Sequence, residues 1–191
     1  KIVDQAGNES KAVSGSIDVD LTASDAPVIT QVTDNQYGGI QDGKNVLGID
    51  NGLTNDSTPT FKGTAEAGST IVLKNGKDVI GENIEVKADG TWEFTPKTPL
   101  ADGEYNVTAI ATDKAGNVSD PSNVATINID TNCPEPVITE IVDNVAGGVV
   151  NGDVKGGLTN DNTPTLKGTA EPFATVEIKI DGIGSYKFEN G

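Results

Sequence analysis

The chain has 191 residues and is strongly acidic: 13 basic residues, all of them Lys, stand against 29 Asp and Glu, for a net charge of −16. It contains no His, no Arg, no Met and one Cys. This removes imidazole general bases and metal ligands, intrachain disulfides, cysteine-rich zinc sites and iron–sulfur clusters. The acidity excludes nucleic-acid binding through phosphates, and no run of about 18 apolar residues exists to cross a membrane as a helix.

The chain starts at Lys1 without an initiator Met and reads as an excised fragment. Low aromatic content (4%) with high charge is the composition of a disordered chain, but regular apolar segments punctuated by turn residues argue for a folded one. Pro27 to Thr33 is expected as a first strand, and Thr58 to Thr64 as a second, opened by Pro59. Thr70 to Lys74 is apolar and β-branched, and Asn75-Gly76 after it is a hairpin signal. Ile84 to Lys87 and Thr91 to Thr95 flank Asp89-Gly90, a second hairpin signal. Glu104 to Asp113 alternates, with Tyr105, Val107, Ala109 and Ala111 on one face and Ile110 as the exception on the other. Val124 to Asp130 closes the series. About seven short strands in roughly 100 residues fit an all-β, immunoglobulin-like sandwich. Its expected core is Trp92, Phe94, Tyr105, Phe61, Leu73, Ile71 and Ile127, with Trp92 read as a packing residue and not a sugar platform.

The chain also repeats itself. Leu53 to Glu66 recurs at Leu158 to Glu171 with twelve of fourteen positions identical. Asp4-Gln-Ala-Gly-Asn8 recurs as Asp113-Lys-Ala-Gly-Asn117, and Ile17 to Asp20 as Ile127 to Asp130. Gly38-Gly39 recurs as Gly147-Gly148. The offset is 109–110 before this Gly-rich stretch and 105 after it, so an indel falls in what is expected to be a surface loop between Gly39 and Leu53. Residues 1–24 are thus expected to be the C-terminal part of one repeat, 25–130 a complete repeat and 131–191 the N-terminal part of the next.

Acidic and amide residues gather at strand ends. Within a domain, Asp34 and Asn35 face Asn55 and Asp56, and the copy of this set is Asp143, Asn144, Asn160 and Asp161. At a junction, Asp18 and Asp20 leave one repeat and meet Asp25, Glu66, Asp113 and Asn117 of the next. At the following junction Asp130 meets Glu135 and Glu171. Close carboxylates repel by about 1 kcal/mol or more near a surface. An oxygen-only ligand set of this kind suits Ca²⁺ rather than zinc, copper or iron. The competing reading is a solvated acidic surface. No EF-hand or calcium β-roll pattern is present. Carboxylate pairs repeated in each copy read as architecture, so no enzyme is expected. Cys133, in the linker, is expected to have no role.

Taken together, Asp-x-Ala-Gly-Asn, Ile-x-Ile-Asp-Thr, Thr-Asn-Asp-x-Thr-Pro-Thr-x-x-Gly-Thr-Ala-Glu and Ala-Asp-Gly-Thr-Trp-x-Phe-Thr-Pro resemble the bacterial Ig-like repeats of giant type I-secreted adhesins and biofilm-associated proteins. The resemblance implies tandem Ig-like β-sandwich domains in a linear, rod-like array, secreted to the surface of a Gram-negative bacterium. It implies calcium at the domain junctions, with Asp113, Asn117, Asp20, Asp130, Asp56 and Asp161 as candidate ligands. The implied role is a spacer for cell adhesion, virulence or biofilm formation whose partners are the neighbouring repeats of the same chain. The alternative is a direct recognition module that binds host-cell surface glycans, other bacterial surface components or another copy of itself through exposed loops, the longer loop at 40–52 among them.

Overall fold

The computed structural model describes residues 1–36, 46–145, 152–153, 159–180 and 184–189. It divides into two compact units, Lys1–Thr131 and Asn132–Gly191. All regular structure among the described residues is β. The Gly38-Gly39 and Gly147-Gly148 pairs and Leu158 lie outside the described residues.

The first unit is a two-sheet sandwich. One sheet combines β1 (Val28–Thr33), β2 (Val46–Leu47), β4 (Thr60–Thr64) and β7 (Thr91–Phe94) in the order β2-β1-β4-β7. The other combines β3 (Gly52–Thr54), β5 (Thr70–Asn75), β6 (Asp78–Glu85), β8 (Gly103–Thr112) and β9 (Ala125–Ile129) in the order β3-β9-β8-β5-β6. Every pairing is antiparallel except β3 with β9. Alternation builds the core as the period of two requires. On β8, Val107, Ala109 and Ala111 are buried while Thr108, Ile110 and Thr112 lie on the opposite, partly exposed face. Ile29, Val32, Leu47, Phe61 and Trp92 come from the first sheet. Ile71, Leu73, Ile84, Val107, Ile127 and Ile129 come from the second. Phe94 and Tyr105 pack against this core while only partly buried.

Trp92 is 1% exposed and belongs to the core. Its indole lies over Gly63, directly across the β4–β7 ladder, where a Cβ would fall 2.3 Å from the ring and 2.2 Å from the Val28 carbonyl. Only glycine leaves that space. The indole Nε1 is buried and has no acceptor among the described residues.

The structure corrects several expectations. The second strand starts at Thr60 and not Thr58, because the Thr58 amide is held by Asp56 in a turn and Pro59 has no N–H to give. Asn75-Gly76 does turn the β5–β6 hairpin, but β6 begins at once at Asp78 instead of waiting until Ile84. Asp89-Gly90 makes a tight turn, closed by the Lys87 amide on the Thr91 carbonyl at 2.8 Å, yet it is no sheet hairpin. The strands on either side belong to different sheets, so the turn carries the chain across the sandwich. The stretch expected as a plain surface loop up to Leu53 contributes β2 and β3, one to each sheet, and buries Leu47.

Residues 1–24 form no strand, and a single bridge joins Val3 to Glu9. In the second unit, β10 (Val137–Asp143), β11 (Gly152–Asp153) and β12 (Thr165–Thr169) form a sheet in the order β11-β10-β12. β13 (Thr175–Ile180) pairs with β14 (Gly184–Glu189). The β10–β12 register repeats that of β1–β4, including the irregularity after Ile138 that matches the one after Ile29.

Candidate functional site

The two expected constellations behave differently. Within the first unit, Asp34 and Asp56 do come together, and their oxygens are taken up by the protein's own donors. Thr54 is the hinge of the network: its hydroxyl donates to Asp34 Oδ2 at 2.7 Å and accepts from the Asp56 amide at 2.9 Å. Asp34 Oδ1 accepts from the Gln36 amide at 2.7 Å. Asp56 Oδ1 accepts from the Thr58 amide at 2.8 Å and the Thr58 hydroxyl at 3.1 Å, and its Oδ2 from the Asn35 amide at 3.1 Å. Asp56 is 0% exposed and Asp34 is also buried. Asn35 takes part through its backbone, and the Asn55 side chain is exposed.

The copy repeats this bond for bond. Thr159 donates to Asp143 Oδ2 at 2.8 Å and accepts from the Asp161 amide at 3.0 Å. Asp161 accepts from the Thr163 amide and hydroxyl and from the Asn144 amide, and Asp143 from the Val145 amide. The bond from the Thr163 amide, followed by those from Asn144 and the Thr163 hydroxyl, holds the Asp161 carboxyl below the ordinary range against the opposing effect of burial. Asn160 is exposed. The repeated Thr-Asn-Asp-x-Thr motif therefore ties the end of the first strand of each repeat to the turn before β4 or β12. Thr54 and Thr58 are the residues that a reading weighted to carboxylates and amides passed over.

The second constellation lies at one pole of the first unit. The Asp113–Asn117 loop is closed on itself. Asp113 Oδ1 accepts from the amides of Gly116 (2.8 Å) and Asn117 (2.9 Å), and Oδ2 from the Asn117 side chain at 2.8 Å. The Asn117 side chain lowers the Asp113 pKa most, and loop amides add to it. Asp4–Asn8 closes in a similar way with no strand beside it: Asp4 accepts from the amide and side chain of Asn8, with the Ala6 amide as the third donor, and Asn8 likewise holds Asp4 low. The motif is thus a self-sufficient loop.

Asn117 does more than close the loop. Its Nδ2 also lies 3.2 Å from the Asp20 carbonyl and 3.3 Å from the Thr22 carbonyl. A carboxylate oxygen and two backbone carbonyls thus converge on one amide. Asp20 itself caps the Thr22 amide at 3.0 Å. Nearby, Asp25 and Glu66 line one cleft with Ala26, Val28, Thr64 and Ala65. The Glu66–Ser69 turn is adjoining, since a Cβ on Gly68 would lie 2.9 Å from Lys114 Nζ. Lys114, unremarked in the sequence reading, brings a cation to this acidic pole. Asp18 stays exposed on an extended segment. At the chain's exit, the Asp130 amide bonds the Thr54 carbonyl, and Asp102 Oδ1 holds the Thr131 amide and hydroxyl. In the second unit, Glu171 caps the Ala174 amide through its carbonyl, as Glu66 does for Ser69, and Glu135 is exposed. Among the described residues no three Asp, Glu or Cys side chains converge on one point.

An all-β sandwich with these repeated loops defines an immunoglobulin-like domain. The family described as "Bacterial Ig-like domain" matches residues 26–131, and the chain belongs to that family. Such domains are typically non-catalytic and extracellular or surface-held. The chain is 32% identical to Bacillopeptidase F of Bacillus subtilis over 164 residues, 86% of its own length but 9% of that protein's. Among solved structures it resembles the fibronectin(III)-like modules of CbhA from Clostridium thermocellum. There the TM-score is 0.35 at 18% identity, over 77% of this chain and 76% of that one.

Proposed function

We propose that the chain is part of the stalk of a secreted bacterial surface adhesin, a linear array of Ig-like repeats that serves as a spacer in adhesion or biofilm formation and is stiffened by calcium at its junctions. The observation that carries this reading is the Asn117 side chain. It draws the Asp113 carboxylate and the Asp20 and Thr22 carbonyls to one place, joining the segment that enters the domain to a loop of the domain itself. Carboxylate, carbonyl and amide oxygen are the donors that calcium accepts in loose geometry. Calcium would be held there by the Asp113 carboxylate and the two carbonyls in the place the Asn117 Nδ2 takes, with the Asn117 amide turned to offer its oxygen and Asp25 and Glu66 in the adjoining cleft, and would supply neutralising charge. Without it, the chain's own residues set the behaviour: an acidic linker repels the acidic pole, and the Asn117 side chain restrains the entering segment.

Small-angle scattering on the 191-residue chain tests this. In calcium at about millimolar level, the range of extracellular modules, the particle is expected to be longer and stiffer than in chelator, and Asn117→Ala is expected to remove the difference. Superimposable profiles with and without calcium refute the reading.

A further inference from the structure

The chain enters the first sandwich through β1 and leaves it through β9. Two fastenings set the relative direction of these end strands. Asn123, two residues ahead of β9, grips Ile29 near the start of β1. Its Oδ1 accepts from the Ile29 amide at 2.9 Å, and its Nδ2 donates to the Ile29 carbonyl at 3.0 Å. At the other end, Asp34 follows β1 and accepts from Thr54, which lies opposite Ile129, the last residue of β9. β1 and β9 therefore run the same way, and tension along the chain draws them lengthwise in opposite senses. The β1–β4 and β8–β9 ladders are antiparallel, with bonds that lie across such a pull, so they are sheared as a set and not opened pair by pair.

β1 and β9 belong to different sheets, and the Asn123 side chain spans them. It offers Ile29 both the donor and the acceptor that a neighbouring strand would. The segment that carries it is anchored to β8. The Ser119 amide donates to the Ala111 carbonyl at 3.0 Å, and the Ser119 hydroxyl accepts from the Ala111 amide at 3.0 Å. Ser122 does the same with Ala109, at 2.9 and 2.8 Å. Pro121 between them has no N–H to leave unpaired. The Ile29 side chain is in the core, 1% exposed.

We infer that Ser119–Asn123 is a mechanical clamp: a strap fixed to β8 whose last side chain keeps β1 from sliding when the chain is stretched. β1 moves only when Asn123 and the β1–β4 ladder yield together. The inference rests on the spacer reading for the source of the tension, since a spacer carries the load between its two attachments. It needs no calcium.

The test stretches the first unit, in chelator, between an N-terminal tag and Cys133, which is exposed just beyond β9. Forced unfolding reports the unfolding rate. Asn123→Ala is expected to raise that rate at fixed force about tenfold, the worth of two net hydrogen bonds. A second direction of pull runs between Cys133 and a cysteine introduced by Lys77→Cys, at the exposed tip of the β5–β6 hairpin. β5 and β9 run the same way on either side of β8, so this pull draws both from the same end and bypasses β1. Along it Asn123→Ala should leave the rate unchanged, and the domain should yield sooner than between its ends. That last comparison holds even if Asn123→Ala does not fold. Equal rates with and without Asn123→Ala between the ends, the same acceleration in both directions, or equal resistance in both directions would each overturn the clamp. The calcium response of the spacer is read separately by scattering, so either idea can fail alone.

Discussion

Asp56 separates two accounts of the most strongly repeated motif in the chain. If its carboxylate serves the fold, as the hydrogen bonds indicate, Asp56→Ala strips the acceptor from two backbone amides, those of Asn35 and Thr58, and from the Thr58 hydroxyl. Each part-buried donor left without a partner costs about 1–3 kcal/mol. The hydroxyl can rotate towards water, so the two amides set the scale, and a loss of about 2–6 kcal/mol is expected. That is a large share of the roughly 5–15 kcal/mol that stabilises an ordinary domain. Trp92 is the chain's single Trp, is fully buried in the first unit, and reports on that unit alone. Urea unfolding followed by its fluorescence should show the midpoint falling by about 1–3 M at an ordinary denaturant slope. Thr54→Val breaks the same network at its hinge, so the double variant should be destabilised by less than the sum of the two. The decisive control is calcium. A hydrogen-bonded lock predicts the same midpoint shift in calcium and in chelator. An unchanged midpoint, or a shift seen only with calcium, refutes the reasoning; the second outcome would assign Asp56 to a metal.

Further outcomes follow from the same geometry. Gly63→Ala places a Cβ inside the Trp92 ring and the Val28 carbonyl, and should lower first-unit stability by about 3 kcal/mol or more, read by the same urea curve. Phe173 is 88% exposed with φ 65°, the left-handed region that Gly68 occupies at the matching place in the first unit with φ 80°. Phe173→Gly should therefore stabilise the second unit by about 1 kcal/mol, measured by amide exchange of β12 and β13; a destabilised second unit would contradict it. The Asp113 carboxyl is held below its unfolded value by Asn117 and the loop amides, so its contribution is present at neutral pH and lost as pH falls through that lowered pKa. The Asn117 side-chain amide resonances should keep their folded positions down to below about pH 4, where unfolded Asp titrates, and then collapse; Asp113→Asn should remove the transition.

The long strands were readable because their signal is local. β8 alternates over ten residues, and its buried face is the one the apolar pattern predicts. β2 and β3 were not readable: strands of two and three residues carry no period, and β3 exists only because Gly52 to Thr54 meets Ile127 to Ile129, some 75 positions away. Asp89-Gly90 signalled a turn correctly, but which strand receives Thr91 depends on β4 and not on the turn. For the site, recurrence marked loops that the structure ties together by hydrogen bonds. It did not say why they recur, because a ligand and a hydrogen-bond acceptor leave the same trace when a domain is copied. The answer lies in donors such as Thr54 and Thr58, whose role depends on where the backbone places them.

This divides the chain's negative charge by what already binds it. A cation that approached Asp34, Asp56, Asp143 or Asp161 would have to displace amide and hydroxyl donors held at 2.7–3.2 Å in a buried setting, and leave those donors without partners. At the pole the competition differs. Asp25 and Glu66 are exposed, and the Asn117 side chain reaches the Asp20 and Thr22 carbonyls at 3.2 and 3.3 Å, longer than its 2.8 Å bond to Asp113. A divalent ion there would have to displace the Asn117 side-chain amide from Asp113 and the two carbonyls, but would leave no backbone amide without its acceptor, and calcium is tolerant of ligand number and angle. On the proposed function, the same carboxyl chemistry would therefore disfavour an ion inside the repeat and admit one at the repeat's end. Calcium binding that survives Asp56→Ala but fails on Asn117→Ala would follow directly from that difference.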